Sequence, residues 1–231
     1  MKLMVVLKQI RNEFKELIMN PAILGVVVLP IFMSKVVTYA MQGLDAGFLL
    51  LCVWILFSQV MVGIMLTGPN LIEERESKTF DALLCTPLTF GKILVSKCVP
   101  ILVCSLFSQI MVFVINEGIN SKLCGLLVLM LLGGIIFVEI GAVIGLLIES
   151  SKTGSAVSAM VMIALFLVVS VYPSLPDWTY SIFMFLPSVE VVEVMNALNN
   201  SQGILWTECG LLFAWLVLLT GVLCLIGKKK Y

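Results

Sequence analysis

The chain alternates long apolar runs with short polar segments, and the apolar runs set its predicted architecture. Six runs approach the roughly 20 residues that a helix needs to cross a bilayer: residues 22–41, 48–68, 93–115, 123–148, 155–172 and 205–226. A segment in lipid must satisfy its own backbone hydrogen bonds, and the alternation typical of a membrane β-barrel is absent. The sequence therefore predicts an all-α, polytopic membrane protein with one domain over residues 1–231 and six spans.

Residues 1–20 follow a different pattern, in which apolar side chains recur every three or four positions. Lys8, Arg11 and Lys15 repeat with the same period on another face. A helix with one apolar and one cationic face lies flat on a membrane, with its cations near anionic lipid. We expect an amphipathic interfacial helix here, with membrane lipid as a partner, and Asn20-Pro21 as cap and first residue of the next helix.

Composition agrees with a membrane protein and excludes several kinds of chemistry. Apolar residues make up 61% of the chain and charged residues 12%, against about half and about a quarter in soluble domains. The chain has no histidine, which excludes His-ligated metal sites and His-activated nucleophiles. It also lacks the GxxxxGK[ST] motif that cradles nucleotide phosphates. We therefore expect no enzymatic site, no cofactor or metal in this chain, and no nucleic-acid partner.

The 14 Lys and Arg residues are distributed unevenly between the two sides of the predicted bundle. Twelve fall in the N-terminal stretch, the second and fourth connections and the C-terminal tail, and the other two are Lys35 and Lys122. Cationic connections stay on the cytoplasmic side of a membrane. This distribution predicts a multi-pass membrane protein with both termini and residues 70–97 in the cytoplasm.

The long connection at residues 173–204 is predicted to be extracellular and contains no Lys or Arg. Ser188 is expected to cap a short helix over residues 189–198. Glu190 and Glu193 would then share one face of that helix, with Val191, Val194 and Leu198 on another. We expect a re-entrant segment that dips into or lies on the outer leaflet before the sixth span.

Polar side chains inside the apolar runs are candidates for a translocation path. They are Ser58, Gln59, Ser105, Ser108, Gln109 and Glu139. Each also suits hydrogen bonding between neighbouring helices. A charge deep in a span is costly, so Glu139 is expected to be a substrate or proton site, or a protonated group bonded to Gln59, Ser108 or Gln109. Gly141 and Gly145 predict close helix packing, within the chain or across a dimer.

Residues 70–92 concentrate charge between the second and third spans, with six charged residues among nine positions, 73–81. Asn70 and Glu73 have capping-box spacing, which predicts a helix start where glutamates are favourable against the dipole. Pro87 is expected to end that helix and Thr89 to cap the next. We expect an apolar patch rimmed by acids to contact a partner through Glu73, Glu74, Glu76, Phe80, Asp81, Leu83 and Leu84.

Residues 74–92 resemble a segment found in permease subunits of the ABC-2 exporter family. That segment lies between helices 2 and 3 and has the form E-x-E-x-G-T-x-E-x-L-x-x-T-P, followed by a basic turn. Here it is ERESKTFDALLCTP, followed by FGK. Lys78 stands where Gly is usual, and Asp81 stands where Glu is usual. The overall plan also resembles that family, from the amphipathic N-terminal helix to the re-entrant segment before the last span.

The resemblance implies a coupling helix at this segment, contacting a separate ABC ATPase subunit that binds ATP and Mg²⁺. It also implies a second permease chain, giving a homodimer or heterodimer, and a location in the bacterial plasma membrane. The expected function is export of a lipophilic or amphipathic cargo such as a drug, an antimicrobial peptide or a lipid-linked molecule. Two alternatives remain from the residues themselves: a non-transporting scaffold or sensor that recruits a cytoplasmic partner, and an ion-coupled carrier that uses Glu139.

Overall fold

A computed structural model describes residues 2–41, 47–85, 88–199 and 205–230, and every regular element within them is helical. The α-helices are α1 (Lys2–Met19), α2 (Pro21–Ala40), α3 (Gly47–Glu76), α4 (Thr79–Leu84), α5 (Phe90–Glu117), α6 (Lys122–Leu147), α7 (Ser151–Val171), α8 (Tyr180–Phe183), α9 (Pro187–Asn199) and α10 (Trp206–Lys230). Short 3-10 turns lie between α7 and α8. Six helices (α2, α3, α5, α6, α7 and α10) are long and apolar enough to cross a membrane, which confirms the predicted fold class.

Helix α3 lies at the centre of the bundle. In its most apolar stretch of 18 residues, 78% of the residues are buried, against 17% in the corresponding stretches of α2 and α10. It packs against α2, α5, α6, α7 and α9, so protein covers most of its surface. Helix α3 has 30 residues. At about 1.5 Å per residue it extends about 45 Å, which is roughly 15 Å more than the thickness of a hydrocarbon core. Its last turns therefore extend beyond the apolar part of the bundle.

Helices α3 and α6 approach closely at the predicted glycine pair. A Cβ atom on Gly141 would lie 2.9 Å from the Gly63 carbonyl oxygen, and one on Gly145 would lie 2.8 Å from Leu71 Cβ. A larger residue at either position would push the two backbones apart. The predicted close packing is confirmed, and the contact lies within one chain.

The junction of α1 and α2 follows the sequence signals. Asn20 is the N-cap of α2, its side-chain oxygen accepts the Ala22 N–H at 3.0 Å, and Pro21 is the first helical residue. Leu17 of α1 is buried in a cluster with residues of α2, α3, α5 and α6, and α1 packs mainly on α5. The cap prediction is confirmed, while the position of α1 on a membrane surface stays a prediction.

Helix α9 packs against α3, α6, α7 and α10. It begins at Pro187, whose fixed φ suits a first helical position. Ser188 is therefore inside the helix, and its predicted role as a cap is wrong. The Leu186 carbonyl accepts the N–H groups of Val189 and Glu190 instead. The re-entrant placement of this segment stays a prediction.

Candidate functional site

The candidate site lies where α3 ends and α4 begins. Helix α3 passes through Pro69 and Asn70 without interruption to Glu76, so the predicted helix start at Asn70 is wrong. The next side chains, Leu71 and Ile72, are almost completely buried, and their burial favours helix continuation over the local capping signal. Glu73, Glu74 and Glu76 (in the last turns of α3) consequently lie where the helix dipole opposes a negative charge.

A buried lysine compensates one of these carboxylates. Lys97 of α5 forms ion pairs with Glu74 of α3 and Glu13 of α1, and the side chains are 7%, 15% and 13% exposed. A buried ammonium that lost both partners would keep its desolvation cost without compensation. The ion-pair cluster therefore joins α1, α3 and α5. Sequence reasoning missed it, although a lysine inside the third apolar run was a signal that a carboxylate partner was needed.

Arg75 joins the same end of α3 to α6. Its Nη1 atom donates to the carbonyl oxygens of Gly145, Leu146 and Ile148 at 2.8, 3.0 and 2.9 Å. The last carbonyls of a helix have no partner within the helix, and a cation is favourable against the dipole there. The guanidinium thus closes the C-terminal end of α6.

Glu76 performs the complementary role at the start of α7. Its Oε1 accepts the N–H of Ser151, the first residue of α7, at 2.8 Å. The first N–H groups of a helix are unpartnered within it, and the dipole favours an anion there. Three consecutive residues of α3, Glu74, Arg75 and Glu76, therefore hold four other helices of the bundle.

The turn between α3 and α4 has an unusual backbone. Lys78 has φ of +58°, in the left-handed region that glycine adopts without steric cost. The hydroxyls of Ser77 and Thr79 both donate to the Glu74 carbonyl oxygen, at 3.2 and 3.0 Å. Lys78 is the position where the resembled family pattern has Gly, so the bend is kept although the glycine is absent.

Helix α4 faces the chain's own interior through Phe80. This side chain is 0% exposed, and its ring meets that of Phe90 edge to face with centroids 6.1 Å apart. Phe90 in turn packs on α10, where a Cβ on Gly227 would lie 2.5 Å from its Cδ1 atom. Phe80 therefore anchors α4 on the bundle, and Leu83 is half-buried beside it.

The other predicted contact residues differ in exposure. Glu73 and Glu76 have exposed side chains, and Glu74 is half-buried. The neighbouring side chains of Ser77, Lys78, Thr79 and Cys85, which were not predicted as contacts, are also exposed. The side chains of Asp81 and Leu84, together with residues 86–87 and the predicted stop at Pro87, lie outside the described residues. Thr89 is the N-cap of α5, as predicted, although its side chain makes no capping hydrogen bond. Contact with a partner stays a prediction.

Five of the polar residues predicted for a translocation path lie in the interior of the bundle, and hydrogen bonds join three of them (Gln59, Gln109 and Ser105) into a network. Ser58 Oγ is buried without a hydrogen-bond partner among the described residues. Ser58, Gln59, Ser105, Ser108 and Gln109 are all 0% exposed. Gln59 Nε2 donates to Gln109 Oε1 at 3.0 Å, and Gln109 Nε2 donates to Ser105 Oγ at 3.0 Å. Ser108 Oγ donates to the Val27 carbonyl at 2.8 Å. These bonds connect α2, α3 and α5, and a role in translocation stays a prediction.

Glu139 lies apart from that network. Its Oε1 accepts the hydroxyl proton of Thr220 on α10 at 2.7 Å. The predicted bonds to Gln59, Ser108 or Gln109 are therefore wrong, because Thr220 of α10 is the hydrogen-bond partner of the carboxyl.

A second group of carboxyls lies at the other end of the bundle. Glu190 of α9 is 0% exposed, and neither of its oxygens has a hydrogen-bond partner. Tyrosine hydroxyls donate to the neighbouring Glu193 and Glu208. Burial, with added repulsion from Glu208 and Glu193, raises the pKa of Glu190 to about 7. The sequence from 153 to 227 contains no Lys or Arg, so this segment supplies no cation. Among the described residues, no group of carboxyls or thiols has an arrangement that holds a metal ion.

Comparison with known families places nearly the whole of this architecture in one group. A family model described as "ABC-2 family transporter protein" matches residues 6–226. A comparison with curated proteins found no match. The matched range begins within α1 and ends within α10, so it includes the end of α3 and every helix that contacts it.

Proposed function

The chain belongs to the ABC-2 transporter family, and we propose that it is the membrane permease of an ATP-driven exporter. Members of this family are membrane subunits of transporters, and the six apolar helices agree with a multi-pass membrane protein. In this proposal a separate ABC ATPase subunit supplies the energy and binds ATP and Mg²⁺. A second permease chain, identical or homologous, completes the transporter.

The observation that carries the proposal is the bonding at the end of α3. Through Glu74, Arg75 and Glu76 this one turn is bonded to α5 and, through Lys97, to α1, and to the ends of α6 and α7. A displacement of α4 by a docked partner would reach all of these helices together, because each of them is joined by a hydrogen bond or an ion pair to the last turn of α3 or to Lys97. Such an arrangement suits a permease better than a recruiting scaffold, which needs no rigid link into its spans.

The proposed docking surface is the exposed side of the α3–α4 junction. Glu73, Lys78 and Cys85 lie there, whereas Phe80 faces the core. We assign Phe80 and Leu83 the role of fixing the orientation of α4, while exposed side chains make the direct contacts. The cargo is a lipophilic or amphipathic molecule, since the helices that would surround its path are predominantly apolar.

Cys85 provides a direct test of docking, because it is an exposed free cysteine at the end of α4. A variant that keeps Cys85 as its one cysteine is co-expressed with candidate ABC ATPase subunits. Membranes from these cells are then labelled with a maleimide that carries a photoreactive group. We expect irradiation to join the chain to an ATPase subunit, detected by mass spectrometry of the product.

The matched control keeps Cys124, which is exposed at the start of α6. It should give no such product, since this end of the bundle is predicted to face away from the ATPase. A product from Cys124 and none from Cys85, in a complex that co-purifies intact, would refute the docking assignment.

A further inference from the structure

A groove of about 190 Å³ lies between α5, α6 and α10. Its wall is apolar, with Val99, Leu102, Val138 and Leu223 among the side chains that form it. Among the described residues that line it, Glu139 is the one charged group. Val95, at the edge of the groove, is 53% exposed, so the groove opens on the side of the bundle that faces away from the protein interior.

The carboxyl group of Glu139 is incompletely satisfied. Thr220 Oγ1 donates to Oε1 at 2.7 Å, whereas Oε2 is buried without a hydrogen-bond partner. The ion pairs of the described residues join Lys97 to Glu13 and Glu74, and none includes Glu139. A carboxylate in an apolar wall is costly unless a cation or a proton satisfies it.

We propose that this groove binds a lipophilic amine. The ammonium group pairs with the carboxylate of Glu139, and the alkyl part occupies the apolar wall. Charge complementarity selects a cation, the apolar lining selects an amphiphile, and the lateral opening admits it from the bilayer. This proposal deepens the proposed function, because it names cationic amphiphiles as the cargo. That the bound amine is a transported cargo rests on the proposed function.

The direct experiment measures binding to the purified chain in nanodiscs of zwitterionic lipid, without any ATPase. The probe is radiolabelled dodecylammonium at pH 7, and its uptake by empty nanodiscs is subtracted. We expect saturable binding whose affinity Glu139→Gln lowers at least about tenfold, since a neutral amide cannot form an ion pair with an ammonium. Neutral dodecanol should show no saturable component.

Two control variants separate the site from general effects. Glu117→Gln removes a carboxylate from the exposed end of α5 and should leave binding unchanged. Val99→Phe fills the groove and should abolish binding, whereas Val103→Phe, on the exposed surface one turn later, should not.

Equal affinity of the wild-type chain and Glu139→Gln would overturn the proposal. The proposal would also fail if Glu139→Gln left binding intact and light scattering showed that the variant had changed from an assembly of permease copies to single chains. The groove would then be an interface between chains. The assay contains no ATPase, so a negative result here would leave the Cys85 crosslink, and with it the proposed function, unaffected.

Discussion

Lys78 shows at the scale of one residue how the chain keeps a bend without the glycine that would form it most easily. A non-glycine residue in the left-handed region costs roughly 1–2 kcal/mol. Hydrogen bonds from Ser77 and Thr79 to the Glu74 carbonyl support the turn. The side chain of Lys78 is exposed, so packing offers no compensation.

Lys78→Gly is expected to stabilise the protein by about 0.5–1 kcal/mol. The gain is the relief of the left-handed φ, reduced by the larger backbone entropy that glycine loses on folding. The measurement is the apparent free energy of unfolding of the purified chain in detergent. Lys78→Ala retains the Cβ atom and removes the charge, so it should show no gain. Equal stabilisation by both variants would show that loss of the Lys78 charge, and not relief of the left-handed φ, is the cause.

At the scale of elements, the end of α3 determines how the other helices are held. Arg75 bonds the C-terminal end of α6 and Glu76 the first N–H of α7. The connection between α6 and α7 is three residues long, so both bonds act on one short segment. The positions of α6 and α7 relative to α3 therefore depend on two neighbouring side chains.

Arg75→Met is expected to lower the free energy of unfolding by about 1–3 kcal/mol. Three carbonyl oxygens lose their shared donor in a partly buried place, where an unsatisfied polar group is costly. Lys92→Met removes a cation from an exposed position near the same end of the bundle and should change stability by no more than about 0.5 kcal/mol. Denaturant titration of both variants measures the free energy of unfolding. An equal decrease in both variants would show that the change in net charge, and not the loss of the Arg75 hydrogen bonds, is responsible.

The sequence predicted the elements better than their contacts. Run length and the Asn20-Pro21 signal suffice for the spans and the start of α2, because these depend on neighbouring residues. The end of α3 was mispredicted, since burial of Leu71 and Ile72 outweighs a local cap signal. The partners of Lys97 and Glu139 were missed because Glu13 and Thr220 are 84 and 81 positions away along the chain. Such pairs depend on helix packing, which periodicity does not specify.

At the scale of the whole molecule, charge is separated along the bundle. The cations of α1, the α3–α4 junction and the end of α10 lie at one end, and Glu190, Glu193 and Glu208 lie at the other. This separation, together with the positive-inside rule, predicts that the cationic end faces the cytoplasm.

Cysteine labelling tests that orientation. In intact cells, a membrane-impermeant maleimide should label a single-cysteine variant carrying Ser174→Cys, which lies in an exposed turn at the acidic end. It should not label a variant that retains Cys85 alone. Inverted vesicles should reverse the pattern. Labelling of Cys85 in intact cells would place the α3–α4 junction outside and contradict the predicted topology.

The burial of α3 has a consequence for the response to bilayer thickness. A helix adapts to a thicker or thinner membrane by tilting, at a cost of fractions of a kcal/mol per Å of mismatch. Helices α2, α7 and α10 have little of their surface buried in this chain, whereas α3 is packed on most sides. We therefore expect thickness changes to tilt the peripheral helices around an α3 that keeps its angle. The end of α3 would then hold its geometry in membranes of different lipid composition.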